Sequence, residues 1–125
     1  DETMEKLVNE HPIFDEAKLL QRVGGNQTIL LKVIRAFLSS VPQQIAELQT
    51  ALDNADLSDL HIRAHTLKGS TANVEALRIR ALAQRIEEIA REGSCDGVSE
   101  LIAQVETEFG AFETHVRSEL RLTAE

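Results

Sequence analysis

The spacing of apolar residues between positions 26 and 53 constrains the fold of this chain more than any other feature. The apolar positions there follow one another in steps of 4, 3, 4, 4, 3 and 4 residues, which aligns their side chains on one face of a helix. Such a face is stable in water only when it is buried against another element, so the spacing predicts packed helices. The residues of this face are Leu30, Ile34, Phe37, Val41, Ile45, Leu48 and Leu52.

Three further stretches repeat this helical spacing, over residues 57–74, 75–91 and 98–120. Gly93 ends the second of them, and short polar segments connect them all. Pro42 lies inside the first long stretch and is expected to kink that helix rather than divide it in two. Four long amphipathic helices with short connections predict an all-α protein, an antiparallel up-down-up-down four-helix bundle.

The N-terminal segment is predicted to lie outside the four long helices. Residues 1–12 are charged and contain few apolar anchors, which is typical of a linker or a short helical arm. A short helix from Asp15 to Val23 then forms a lid on one end of the bundle. The predicted domain boundaries are therefore residues 1–12 for the linker or arm, 13–120 for the bundle and 121–125 for a polar tail.

Two asparagines stand where helix ends are expected. Asn26 precedes the long apolar face and can cap the helix that carries it, because an asparagine side chain accepts a backbone N–H of the first turn. Asn73 can adopt the left-handed conformation that ends a helix. We therefore expect the next helix to begin near Glu75.

Charge and cysteine content limit the partners and the cellular compartment that suit this chain. Thirteen basic and 21 acidic residues give a formal net charge of −8, which argues against nucleic acid or an anionic membrane as a partner. Cys95 is the only cysteine, so the chain forms no internal disulfide and suits a reducing compartment. No apolar run reaches the roughly 18 residues that span a bilayer. These features predict a cytoplasmic domain without direct membrane contact.

The segment Ala64 to Ser70, with the sequence AHTLKGS, combines three residues with chemical potential. His65, Lys68 and Gly69 have the i, i+3 and i+4 spacing that brings side chains together on a helix. Since the apolar face runs through Ala64 and Leu67, His65 lies on the flank of the helix and not in the core. A neutral imidazole is a good nucleophile near neutral pH, and a lysine can offset phosphoryl charge. The alternative is an exposed histidine beside a solvated lysine.

Other residues on the same flank are candidates for partner contacts. His61 precedes His65 by one helical turn, a spacing that also suits zinc, but the sequence offers no convergent third ligand and no metal site is predicted. Ile62 is expected to be an exposed apolar side chain. The predicted docking surface consists of His61, Ile62 and Ala72, with Leu19 and Val23 from the lid helix.

The segment around His65 resembles the signature of histidine phosphotransfer (HPt) domains of multi-step two-component phosphorelays. The resemblance extends from about Ile13 to Val116 and includes the spacing of Phe37 and Pro42. It implies that His65 accepts a phosphoryl group from an aspartate of one receiver domain and passes it to an aspartate of another. It also implies that Lys68 and Gly69 lie beside the phosphohistidine.

Two glutamates occupy positions that matter in the family pattern. Glu75 departs from it, because the family often has a small residue near the start of the next helix. Glu87 resembles the family position from which a polar side chain hydrogen-bonds the histidine. A carboxylate there would orient the ring. The alternative for Glu87 is a solvated i,i+4 partner of Arg91.

The resemblance implies a relay intermediate and not an enzyme with an ATP site, since the sequence has no Walker A loop or glycine-rich nucleotide lid. It implies a monomer without a bound cofactor, whose partner receiver domain supplies Mg²⁺ and the aspartate. A bacterial hybrid sensor kinase is the expected parent protein. Two alternatives remain open, a dimerisation and phosphoacceptor domain of a sensor kinase and a helical scaffold that is not phosphorylated.

Overall fold

Six helices make up the part of the chain that the computed structural model describes, residues 2–121, with side chains from residue 4 onward. The four longest helices form a ring in which each packs against the two beside it. This arrangement confirms the prediction of an all-α four-helix bundle. Of the predicted polar tail, only Arg121 belongs to the described residues. The helices are α1 (Glu2–Asn9), α2 (Glu16–Arg22), α3 (Gln27–Asp53), α4 (Leu57–Asn73), α5 (Leu77–Arg91) and α6 (Val98–Glu119).

The predicted apolar face of α3 supplies one wall of the core. Six of its seven residues are buried and Leu52 is partly buried. α3 continues through Pro42 as a single helix. At one end of the core, the Phe112 ring meets Phe14 and Phe37 edge to face, with centroid distances of 5.4 and 5.2 Å. Because Phe14 precedes α2, these contacts tie the lid helix to the bundle.

Three of the helices begin at a side-chain cap. In each case a side-chain oxygen accepts the backbone N–H three residues later, at 3.0 Å. A cap of this kind stabilises a helix by about 1 kcal/mol, because it satisfies a backbone donor that the helix itself leaves unpaired. The capping residues are Asp15 for α2, Asn26 for α3 and Asp56 for α4, so the predicted role of Asn26 is confirmed.

The turn between α4 and α5 differs from the prediction. Asn73 is the last residue of α4, and it is Glu75 that adopts the left-handed conformation, with φ of 60°. The prediction for Asn73 is therefore wrong, and α5 begins at Leu77, two residues later than expected. A left-handed residue other than glycine costs roughly 1–2 kcal/mol. The Arg22 Nε donates to Glu75 Oε2 at 2.6 Å and offsets this cost.

The N-terminal segment contains α1, which packs along α5. Met4 and Leu7 are partly buried against the core of the bundle. Within residues 2–121, none of the helices combines the length and the apolar character that crossing a membrane requires.

Candidate functional site

His65 lies on the outer flank of α4. The neighbouring residues Ala64 and Leu67 are completely buried, so α4 can face the core only in an orientation that turns His65 outward. The His65 side chain is 66% exposed. The structure thus places the imidazole where the apolar spacing predicts it, within reach of a second protein.

Glu87 contacts the exposed ring from α5. It projects from α5, is only 3% exposed, and its Oε2 lies 2.7 Å from His65 Nδ1. An ionised carboxylate accepts hydrogen bonds but cannot donate them, so Nδ1 carries the hydrogen in this contact. In the neutral ring Nε2 is then unprotonated and available for attack. Glu87 faces α4, so the interpretation as a solvated partner of Arg91 is wrong.

The Glu87 carboxylate has two further contacts on α4. Lys68 Nζ lies 2.6 Å from Oε1, and His61 Nε2 lies 3.6 Å from Oε2. Burial acts to raise the pKa of the Glu87 carboxyl, but the contacts with Lys68 and His65 outweigh burial and lower the pKa below its ordinary value. Glu87 is therefore a buried anion at neutral pH, balanced by the Lys68 ammonium.

The pairing of Lys68 with Glu87 is the part of the site that sequence reasoning missed. The spacing of His65 and Lys68 places the lysine beside a phosphoryl group but does not show which anion it contacts in the free protein. Among the described residues, no three His, Cys, Asp or Glu side chains form a group that could hold a metal ion. The cation that pairs with the Glu87 carboxylate is the Lys68 ammonium.

Gly69 leaves the helix surface beside His65 bare. A Cβ added at this glycine would meet nothing within 4 Å, and its backbone is not in the left-handed region. Neither packing nor backbone conformation therefore requires glycine here. Glycine in a helix costs about 1 kcal/mol relative to alanine, and no contact of the folded chain depends on glycine at this position.

The residues predicted to contact a partner differ in how far they are exposed. Ile62 is 55% exposed and, with His61, lines a surface hollow of about 280 Å³ between α4 and α5. Ala72 and Val23 are partly buried. Leu19 is 1% exposed and belongs to the core, so its prediction as a docking contact is wrong. α2 packs on the bundle through this residue, which removes it from the surface.

The fold and this geometry together define a class of protein, a helical bundle that presents an exposed histidine held by a buried carboxylate. A family model described as the Hpt domain matches residues 32–115, and the chain belongs to this family. As a member, it is a phosphotransfer module and an intermediate in a phosphorelay, in which it interacts with receiver domains. The resemblance to histidine phosphotransfer domains is thereby confirmed.

Curated relatives carry names of the same kind. The chain is 28% identical over 126 residues to histidine-containing phosphotransfer protein 2 of Oryza sativa subsp. japonica, covering 94% of this chain and 82% of that protein. It is 31% identical over 98 residues to multistep phosphorelay regulator 1 of Schizosaccharomyces pombe. That match covers 78% of this chain but 32% of the yeast protein.

Two solved structures share the architecture. Histidine-containing phosphotransfer protein B from Pseudomonas aeruginosa PAO1 superposes with a TM-score of 0.81 at 25% identity, covering 90% of this chain and 98% of that one. The HPT domain of a hybrid histidine kinase from Shewanella gives a TM-score of 0.73 at 19% identity, over 90% and 97% of the two chains. The second likeness concerns the fold alone.

Proposed function

We propose that His65 is the residue of this module that accepts and donates the phosphoryl group. The observation that carries the proposal is the 2.7 Å contact between His65 Nδ1 and Glu87 Oε2. It holds the hydrogen on Nδ1, which leaves Nε2 of the neutral ring unprotonated on a side chain that is 66% exposed. Nε2 is then both the nucleophilic atom and the accessible one.

The proposed step exchanges one bond to phosphorus for another. Nε2 attacks the phosphorus of the receiver's phospho-aspartate, the N–P bond forms, and the P–O bond to the aspartate breaks and releases its carboxylate. No proton has to leave Nε2, because Nδ1 carries the ring hydrogen. In the reverse direction the carboxylate of another receiver domain displaces the histidine.

Lys68 and Glu87 support this step in different ways. Glu87 is a positioning residue, since it acts on phosphorus only through the imidazole. Lys68 is paired with Glu87 in the free protein, and its Nζ carries the positive charge nearest to that carboxylate. When a phosphoryl group arrives on His65, the lysine can share its charge with that group, which favours transfer by electrostatics.

The remaining chemistry is assigned to the partner. The receiver domain is expected to supply the aspartate and Mg²⁺, while this chain acts as a carrier in the cytoplasm, as a monomer and without an ATP site or bound cofactor of its own. The absence of nucleotide-binding motifs from its sequence supports the carrier role. Its net charge of −8 supports a protein partner over nucleic acid.

The proposed function is tested by following a radiolabelled phosphoryl group. A panel of receiver domains charged with labelled acetyl phosphate is incubated with the chain, and an unlabelled receiver is added afterwards. We expect the label to move to the chain and then to the second receiver. A scaffold without a phosphoacceptor would take up no label.

Size-exclusion chromatography with light scattering distinguishes the proposed carrier from the second alternative, a dimerisation and phosphoacceptor domain. A carrier of the proposed kind elutes with the mass of one chain, 13.9 kDa. A dimerisation and phosphoacceptor domain of a sensor kinase would give a stable dimer. A dimer that takes label directly from ATP when mixed with a kinase ATP-binding domain would contradict the proposal.

The bare surface at Gly69 leads to a prediction with opposite effects on stability and transfer. Gly69→Ala should raise the free energy of unfolding by about 1 kcal/mol, because alanine favours the helix and its Cβ meets open space. The same Cβ would hold a docked receiver away from His65, so we expect transfer to slow by about tenfold. Chemical denaturation and the labelled-transfer rate measure the two effects.

Gly110 provides a matched control for Gly69. It lies inside α6, and a Cβ there also meets nothing within 4 Å. Gly110→Ala should therefore give a similar gain in stability without a change in the transfer rate. Equal transfer rates for the two alanine variants would show that Gly69 does not serve partner approach.

A further inference from the structure

A basic hollow lies next to the His65 surface. Its volume is about 140 Å³, and Ala72 of α4 forms part of its wall. Ala72 follows His65 by seven residues, which places it on the same face of α4 and about 10 Å further along the helix. The other lining residues are Lys18, Arg22, Glu75, Leu77 and Arg80.

Glu75 contacts two of the three cations of this hollow, Arg22 and Lys18. Its side chain is 3% exposed, receives the hydrogen bond from Arg22, and lies 4.0 Å from Lys18 Nζ. The Asp15 backbone N–H also donates to the Glu75 carbonyl oxygen at 3.2 Å, which fixes the start of α2 against this turn. Glu75 therefore positions the basic side chains of the lid helix beside the end of α4.

The hollow keeps an excess of positive charge after these contacts. One buried carboxylate faces three cationic side chains. The Lys18 side chain is 60% exposed, and Arg80 is exposed on α5 without an ion-pair partner among the described residues. This positive excess stands out in a chain whose formal net charge is −8. An acidic group approaching this edge of α4 would thus meet attraction where the chain as a whole repels it.

We propose that the basic hollow formed by Lys18, Arg22 and Arg80 binds an acidic segment of the receiver domain that docks on His65, and that it contributes to the choice of receiver. The proposal rests on the proposed function of His65. A standard protein interface covers roughly 800 Å² on each partner, so a receiver seated on His65 also reaches a point about 10 Å away. The charge of the hollow specifies the partner's chemistry, namely aspartate and glutamate side chains.

Charge reversal of Lys18 and Arg80, the two cations whose removal leaves the Arg22–Glu75 hydrogen bond in place, tests this inference. Lys18→Glu and Arg80→Glu should each slow labelled transfer from a receiver by about threefold to tenfold at low ionic strength, because rim charges mainly set the association rate. The loss should shrink at high salt, where such charges are screened. Lys18→Gln and Arg80→Gln should show smaller losses in the same direction, and thermal melts show whether each variant is folded.

Arg35→Glu is the matched control for the same change in charge. Arg35 is exposed on α3 and precedes Gln44, which contacts Ser70 of α4, by nine residues. Nine residues correspond to half a turn of rotation, so Arg35 points away from α4. We expect its reversal to change transfer by less than about twofold.

The outcomes separate this inference from the proposed function. Wild-type transfer rates in the folded Lys18 and Arg80 variants at low salt, or faster transfer, would overturn the inference while His65 remained the acceptor. A loss equal to that of Arg35→Glu would also overturn it, since the effect would then reflect net charge only. Failure of the wild-type chain to take label from any receiver would contradict the proposed function itself.

Discussion

Replacement of His65 by glutamine should reduce phosphoryl uptake from a charged receiver to the background of the assay. The amide of glutamine has no lone pair on nitrogen that attacks phosphorus, so both acceptance and donation are lost. The fold should remain intact, because the His65 side chain is 66% exposed and substitutions at exposed sites usually change stability by less than about 0.5 kcal/mol. Uptake of label and a thermal melt measure the two effects.

His11 supplies the control for this substitution. It lies beyond the C-terminal end of α1 and forms its hydrogen bonds through backbone atoms, since its N–H donates to the Val8 oxygen at 3.5 Å and its own oxygen accepts from Arg78 Nε at 2.7 Å. His11→Gln should therefore take up label at the wild-type rate. Label that remains on the His65→Gln chain would show that a different residue is the acceptor.

Replacement of Glu87 by alanine should slow transfer by about 10- to 100-fold. The substitution removes the acceptor 2.7 Å from His65 Nδ1, so neither the ring orientation nor the position of its hydrogen is maintained. It also leaves the Lys68 ammonium, whose side chain is 26% exposed, without its anion. Glu87→Gln keeps a carbonyl acceptor for Nδ1–H, and we expect a loss smaller than that of alanine.

Glu88 is the neighbouring carboxylate that controls for charge and helix propensity. It lies on α5 and pairs with Arg85 at 3.6 Å. Glu88→Ala should leave the transfer rate unchanged within about twofold. Equal rates for wild type, Glu87→Ala and Glu88→Ala would exclude Glu87 as the residue that positions the imidazole.

The presentation of His65 was predictable because it depends on local geometry. A helix fixes the angle between neighbouring side chains, so the buried seam through Ala64 and Leu67 determines the direction of His65 without any knowledge of the other helices. Asn26 as a helix cap follows in the same way from a contact three residues along the chain. In these two cases the sequence and the structure agree.

The contacts of Glu87 depend on how α5 is rotated and shifted against α4, which periodicity alone does not determine. The sequence left two interpretations open, and only the tertiary arrangement brings Glu87 within 2.7 Å of His65 and 2.6 Å of Lys68. The prediction of Leu19 as a docking contact was wrong for a related reason. In a helix as short as α2, the spacing of the apolar residues does not show which of them is buried, because this depends on how the helix packs against the bundle.

Glu75 shows how a distant contact overrides a local preference. Asparagine adopts the left-handed conformation more readily than glutamate, so Asn73 was the better local candidate. Glu75 takes that conformation in the structure because its carboxylate is buried against Arg22, which is 53 residues away in the sequence. The same contact assembles the basic hollow, which therefore could not be predicted from the residues around Glu75 alone.

The central claim is that the phosphoryl group is carried on Nε2 of His65, and heteronuclear NMR of the phosphorylated chain tests it most directly. We predict a nitrogen–phosphorus coupling at His65 Nε2, with the ring hydrogen retained on Nδ1 through its contact with Glu87. A coupling at Nδ1 instead, or a phosphoryl group on any other residue, would contradict the claim.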